Sequence, residues 1–336
     1  MPKKIIFDKK NVLVIGGAGF IGSHLCDELI KNAKVICIDN FLTGSEKNID
    51  HLLAEPNFEF IRHDINSPIE LGEFPELQKF KIEFQGVQEI YYLACPMSPK
   101  NFLKNRINII LSNSYGIKNA LDMAVKYKAS FMHFSSSVVY GLGYENKSKL
   151  DEGHEGRVNI LSDRSAYDEG KRFAETIVYN YYKKFGLDAK IARLFRIYGP
   201  RMKLADDQMI PDFISNALDD KDFQVFGDKN FSSSFCYISD CIDGVMRLMG
   251  SNFFGPINIG SDIDVKLIDL AQKIIDKIGS KSKINFSDEI LFISPLCLPD
   301  ITKAKNELGW MPLVSLEKGL GKTIYELRAS KGLKGF

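Results

Sequence analysis

The sequence predicts an α/β protein built on a doubly wound parallel sheet, with a smaller mixed lobe towards the C-terminus. Short apolar runs of strand length alternate with longer amphipathic runs through the first two thirds of the chain. That alternation is the pattern of parallel strands joined by crossover helices that cover both faces of a sheet. A glycine-spaced turn joins the first strand-like run to the first helix-like one. Beyond about Gly199 the alternation gives way to shorter mixed elements.

In chain order the strand-like runs are Asn11–Ile15, Lys34–Ile38, Phe58–Arg62, Glu89–Leu93, Ser130–Ser135 and Ala189–Phe195. Helical stretches such as Asn105–Lys128 and Ala166–Phe185 separate them. Later come Phe223–Phe226, Ser234–Ile238, Ile257–Ile259 and a helical tail near Ser315–Ala329. The expected organisation is a Rossmann-type domain over residues 1–199 and a smaller substrate lobe with the tail over 200–336, intimately packed.

Gly16-Gly17-Ala18-Gly19-Phe20-Ile21-Gly22 follows the first strand directly. A dinucleotide turn needs one glycine for the tight bend, one for backbone approach to pyrophosphate and one for helix–strand packing. The helix N-terminus then faces the phosphates with free N–H groups. The second strand ends on Asp39, where an acid grips an adenosine ribose, and no arginine follows it. Gly16, Gly19, Gly22 and Asp39 therefore predict NAD rather than NADP.

The 336 residues are 45% hydrophobic and 26% charged, as in ordinary globular enzymes. A formal net charge of +1 without a basic run argues against a nucleic-acid surface. Met1–Asp8 holds no apolar signal core, and no run has the length of a membrane helix. The cysteines at 26, 37, 95, 236, 241 and 297 lack metal-ligand spacing, and the five histidines are scattered. The expectation is a cytoplasmic protein with buried free thiols, no metal and no membrane partner.

Tyr167 and Lys171 stand four apart on a helical run, hence on one face. An ammonium beside a phenol favours phenolate. Bringing a phenol from about 10 to neutrality takes roughly 4 kcal/mol of differential stabilisation. Tyr179 and Lys183 share this spacing, so context must select between the pairs. Ser135-Ser136-Ser137 ends the strand Ser130–Ser135 about thirty residues before Tyr167, a span that one crossover returns. A serine hydroxyl there can hold the substrate oxygen that Tyr167 deprotonates.

Together these residues resemble the extended short-chain dehydrogenase/reductase superfamily. Asp39-Asn40-Phe41-Leu42-Thr43-Gly44, Arg62-His63-Asp64 and Leu93-Ala94-Cys95-Pro96-Met97-Ser98-Pro99 are similar to stretches of UDP-glucuronate decarboxylases. So are Arg164–Arg172, Tyr198-Gly199-Pro200-Arg201-Met202, Ser234–Asp240 and Pro299–Lys305. The resemblance implies a homodimer, a retained NAD, and oxidation of a sugar hydroxyl, usually at C4. The transient ketone is then decarboxylated, dehydrated or re-reduced on its other face. It further implies Tyr167 as base, Lys171 as its partner and ribose anchor, and Ser136 with Ser137 as hydroxyl contacts. Phe20, Ile21, Asn40, Phe41, Thr43, Gly44, Asp64, Ile65, Leu93 and Ala94 join the NAD set, with Asp64 near adenine. Pro96, Ser98, Arg196 and Arg201 form the implied substrate set.

Several positions depart from that pattern. Val138 stands where decarboxylases carry glutamate and dehydratases an Asp-Glu pair. Arg196 replaces an asparagine, Ser233 replaces an arginine, and Ser294–Leu298 replaces an arginine-rich run. Guanidinium groups that meet a diphosphate are hard to substitute, although Arg196, Arg201 or Lys203 offers an alternative cation. The active-site residues favour an epimerase or dehydrogenase acting on a nucleotide sugar; the whole-chain resemblance favours a decarboxylase. Two further readings are a sugar phosphate as substrate and an NAD-binding sensor without turnover.

Overall fold

The computed structural model describes residues 9–141, 149–226, 231–287 and 298–332. Its main sheet has seven strands: β1 (Lys10–Ile15), β2 (Ala33–Asp39), β3 (Phe58–Arg62), β4 (Glu89–Tyr92), β5 (Ser130–Ser136), β6 (Ala189–Leu194) and β7 (Gly255–Ile259). Their spatial order is β7-β6-β5-β4-β1-β2-β3. The pairings of β1 with β2 and β4, of β2 with β3 and of β4 with β5 are all parallel. From β1 the chain first builds outward to β3, then returns to place β4 on the other side. That reversal is the topological switch at which doubly wound sheets bind ligands. Val12–Ile15 and Val35–Ile38 are buried, as unbroken apolar runs in a sheet covered on both faces must be.

The longer helices among these strands are α1 (Phe20–Leu29), α2 (Phe102–Leu111), α3 (Ile117–Tyr127) and α4 (Ser165–Phe185). The single helix expected over Asn105–Lys128 is interrupted by a π-helical turn at Ser112–Gly116. Its side chains explain the break. Ser112 Oγ and Asn113 Nδ2 donate to the Ile109 carbonyl at 3.0 and 2.8 Å, and Ser114 Oγ donates to that of Ile110 at 2.8 Å. Such back-bonding competes with the helical ladder and bends it. A Cβ on Gly116 would lie 2.6 Å from the Tyr92 hydroxyl, so only glycine lets the turn lie against β4.

The chain divides into two units, the first made of Met1–Pro96, Ile107–Phe134 and Arg172–Ile191. The second comprises Met97–Arg106, Ser135–Lys171 and Ala192–Phe336. The glycine turn thus belongs to the first unit, and Ser135–Ser137, Tyr167 and Lys171 to the second. In the second unit, α5 (Met209–Leu218) packs on α7 (Leu267–Ile278) and α9 (Leu316–Gly332). Between them in sequence come α6 (Ile238–Met249) and the short α8 (Thr302–Leu308). Phe223–Phe226 pairs in parallel with Ile284–Ser287. The strand expected over Ser234–Ile238 shrinks to Cys236–Tyr237, because α6 begins at Ile238. Trp310 is buried against Gly244 of α6 and donates its indole N–H to the Asp240 carbonyl at 3.0 Å. The C-terminal helix expected near Ser315–Ala329 is α9.

Cys26, Cys37, Cys236 and Cys241 are buried free thiols, and Cys95 is half-buried. Cys297 lies outside the described residues. Among the described residues no helix is long and apolar enough to cross a membrane.

Candidate active site

In the first unit the glycine turn starts where β1 ends. Gly16 has φ +87°, and its N–H donates to the Ile38 carbonyl at 2.7 Å, tying the turn to β2. A Cβ there would lie 2.8 Å from the Ala94 nitrogen. A Cβ on Gly22 would come within 2.3 Å of the Gly16 oxygen, so this glycine is required for α1 to pack on the turn. Gly19 is different: its Cβ would meet a single atom, the Gly16 oxygen, at 3.3 Å. The position is therefore open rather than crowded. Gly19 also caps α1 with no side chain bonded to the first N–H groups, a start suited to an anion. Phe20 and Ile21 form the first turn of that helix.

Asp39 ends β2 with Oδ2 accepting from the Ala18 N–H at 3.0 Å and Oδ1 from the Phe41 N–H at 2.8 Å. Burial pushes its carboxyl up, and the Phe41, Ala18 and Asn40 N–H groups oppose the shift. A groove of this unit is lined by Gly16, Gly19, Asp39, Asn40, Thr43 and Gly44. Asp64, Ile65, Leu93, Ala94 and Pro96 line it too. Asp64 is held by the Asn66 N–H at 3.0 Å. Phe41 does not line the groove; its ring stacks on Phe60 at 4.9 Å with the Arg62 guanidinium 5.8 Å away. Asn108 and Ser112 also line it and were not foreseen. The break at Ser112 was the only signal, since polar residues there interrupt an otherwise helical run. An open glycine, an uncapped helix start and an acid at the end of β2 fit the adenosine and pyrophosphate of NAD.

The second unit carries the groups suited to proton transfer. β5 ends in half-buried Ser136 and Ser137. Ser136 Oγ accepts from the Val138 N–H at 3.4 Å, capping a single helical turn over Ser137–Tyr140. Val138 itself is buried, with 4% exposed, and offers no acid or base. Tyr140 donates to Asn258 Oδ1 at 2.7 Å and accepts from Arg193 Nη1 at 3.0 Å. Burial pushes that phenol well above its ordinary range, so it is a neutral brace for the serine segment.

Tyr167 lies half-buried in the first turn of α4. Lys171, 4% exposed, sits one turn further with Nζ 5.9 Å from the phenol ring centre. Arg164 and Asp168 form a buried ion pair beside them, Nη2 to Oδ1 at 3.1 Å. Burial pushes the Asp168 carboxyl up, and Arg164 only partly offsets this.

A cavity of about 680 Å³ in this unit is walled by Arg164, Arg196, Tyr198, Asp212, Phe213 and Phe235, among others. Of the expected substrate residues only Arg196 lines it, with a left-handed φ of +37°. Ser98 is buried and donates to Asp206, while the Arg201 N–H donates to Glu326 Oε2 at 3.0 Å. Pro96 belongs to the groove of the first unit. Ser233 is buried in a short antiparallel pair with Val265. Residues 294–297 of the altered run lie outside the described residues.

Fold, glycine turn and tyrosine–lysine pair define an NAD-dependent enzyme of the extended short-chain dehydrogenase type. Residues 12–260 match the model of the NAD dependent epimerase/dehydratase family, and the chain belongs to that family. It is 38% identical over 322 residues to UDP-glucuronic acid decarboxylase 1 of Xenopus tropicalis, covering 96% of this chain and 73% of that protein. It is 39% identical over 319 residues to UDP-glucuronic acid decarboxylase 6 of Arabidopsis thaliana, covering 94% and 88%. Among solved structures, the UDP-glucuronic acid 4-epimerase of Bacillus cereus in complex with UDP-glucuronic acid and NAD superposes with a TM-score of 0.81. The two are 30% identical, over 95% of this chain and 99% of that one.

Proposed function

We propose that this enzyme acts on a nucleotide sugar by transient oxidation at C4, and that its ketone is re-reduced or released rather than dehydrated. Tyr167 is the base that takes the hydroxyl proton. Lys171 stabilises the phenolate, and Ser136, aided by Ser137, holds the oxygen. Bound NAD supplies the hydride acceptor and is held by Gly16, Gly19, Gly22 and Asp39. The observation that carries the reading is the half-buried Tyr167 with a buried ammonium one helical turn away. An ammonium withdrawn from water and one helical turn from a phenol favours the phenolate that base chemistry requires.

Val138 supports epimerase or dehydrogenase over the alternatives, because an apolar side chain cannot transfer a proton. The second reading, decarboxylation of a nucleotide-linked uronic acid, is favoured by the relatives at 38 and 39% identity. Exposed Ile107, Ile110, Tyr115, Phe173 and Tyr179 support a homodimer. The composition and free thiols support a cytoplasmic location. Incubation with UDP-glucuronate, UDP-glucose and the GDP, CDP, ADP and TDP sugars, read by mass and NMR, tests the reading. Unchanged mass with altered ring couplings is the expected product where the ketone is re-reduced, and loss of two hydrogens with reduction of added NAD where it is released; loss of carbon dioxide establishes the second reading instead. No change in any sugar contradicts both.

A further inference from the structure

α5 presents Asp212 and Asn216, one turn apart, to the 680 Å³ cavity of the second unit. Residues four apart on a helix share a face, so both side chains address the same ligand edge. Asp212 is half-buried, and its carboxyl has no hydrogen bond or ion pair among the described residues. The wall around the two is largely apolar: Phe213, Phe235, Val225 and Leu267. An apolar cavity with a few convergent polar groups is the usual form of a small-molecule site, and its polar groups set specificity.

The character of Asp212 narrows the ligand. Asp206 and Asp207 raise its carboxyl, and burial raises it most, to about 7, against the pull of Lys100. What the carboxylate lacks is N–H donors. The apolar faces around it suit a flat ring.

Taking the nucleotide-sugar reading above as given, we propose that Asp212 and Asn216 select guanine as the base of the substrate. The Watson–Crick edge of guanine offers two adjacent donors, N1–H and an N2 amino hydrogen, beside the O6 acceptor. Two carboxylate oxygens of Asp212 accept from the donor pair, and the Asn216 amide donates to O6. Binding two donors holds Asp212 ionised. Uracil and thymine present one N–H between two carbonyls, so a carboxylate oxygen would face a carbonyl oxygen. Cytosine and adenine present a ring nitrogen acceptor beside their amino group, with the same conflict.

Calorimetric titration of the NAD-loaded full chain with GDP, UDP, TDP, CDP and ADP tests this. GDP is expected to bind at least about tenfold more tightly than each of the others, the scale of one charge-assisted hydrogen bond. In Asp212→Asn the amide offers one donor and one acceptor, which suits uracil. The preference for GDP over UDP should fall by about tenfold or invert. Tighter binding of UDP or any other nucleotide by the wild type overturns the assignment of guanine while leaving the nucleotide-sugar reading intact. An unchanged preference in a folded Asp212→Asn overturns the role of that residue. Saturable binding of no nucleotide overturns the nucleotide-sugar reading itself, and this inference with it.

Discussion

Lys171 Nζ lies 5.9 Å from the ring centre of Tyr167, and Lys183 Nζ lies 5.4 Å from that of Tyr179, two pairs on one helix with nearly the same geometry. Burial separates them. Lys171 is buried, whereas Tyr179 and Lys183 are exposed. An ammonium in water is screened and stabilises a neighbouring phenolate little; one withdrawn from water acts through a lower effective dielectric. Lys171→Met is therefore expected to lower turnover by a factor of about 100 to 10,000 and to move the pH at which activity rises to the alkaline side, since the phenolate loses its neighbouring cation. Lys183→Met should change neither. Steady-state pH profiles of the two variants check both halves.

The glycines of the turn do separate work, so their alanine variants should fail separately. Gly22→Ala drives a Cβ to 2.3 Å from the Gly16 oxygen and is expected to cost about 1–3 kcal/mol of stability. Gly19→Ala meets that oxygen only at 3.3 Å, so the fold should tolerate it. It fills the space a pyrophosphate needs, and NAD affinity should fall at least about tenfold, one and a half kcal/mol or so. Chemical denaturation and NAD titration distinguish the two.

Asp212 makes stability depend on pH. Its carboxyl is raised in the folded protein to about 7, so the folded state binds more protons than the unfolded one across the interval below that value. Stability from this group therefore falls as pH rises from the ordinary carboxylate range, and the loss is complete above about 7. Asp207 and Asp206 act in the same direction as burial, and Lys100 opposes them. Asp212→Asn should raise the melting temperature at pH about 8 and leave it nearly unchanged at pH about 4, where the native carboxyl is protonated. Thermal unfolding of both proteins across that interval checks the sign.

Arg164 and Asp168 are buried together, with 9% and 5% of their side chains exposed. Removing one partner leaves a charge in the interior. Asp168→Ala is expected to cost about 3–5 kcal/mol, and the double variant Arg164→Met with Asp168→Leu should recover most of it. Denaturant unfolding of the set measures the difference.

Much of the fold was legible because its determinants are local. Gly19 and Gly22 answer to the Gly16 oxygen within the turn itself, and the core strands are continuous apolar runs, as buried parallel strands require. Interruption of the Asn105–Lys128 helix was harder to read, since Ser112, Asn113 and Ser114 break it through side-chain bonds that amphipathic periodicity does not register. Asp212 was not legible at all. Its significance lies in a carboxyl without hydrogen bond or ion pair among the described residues and in facing a cavity, and both depend on elements distant in sequence, from Met97 to Leu267. Of the expected substrate residues, Ser98 is engaged elsewhere by Asp206, a contact that spacing cannot anticipate, and Arg201 does not line the cavity.

The most direct measurement is turnover of Tyr167→Phe on a nucleotide sugar accepted by the wild type, with bound NAD quantified after denaturation of the same samples. Removal of the phenolic oxygen should reduce turnover by a factor of about 100 to 10,000 while NAD content stays at the wild-type level. Wild-type turnover in a folded, NAD-loaded Tyr167→Phe would contradict the assignment of this phenol as the base.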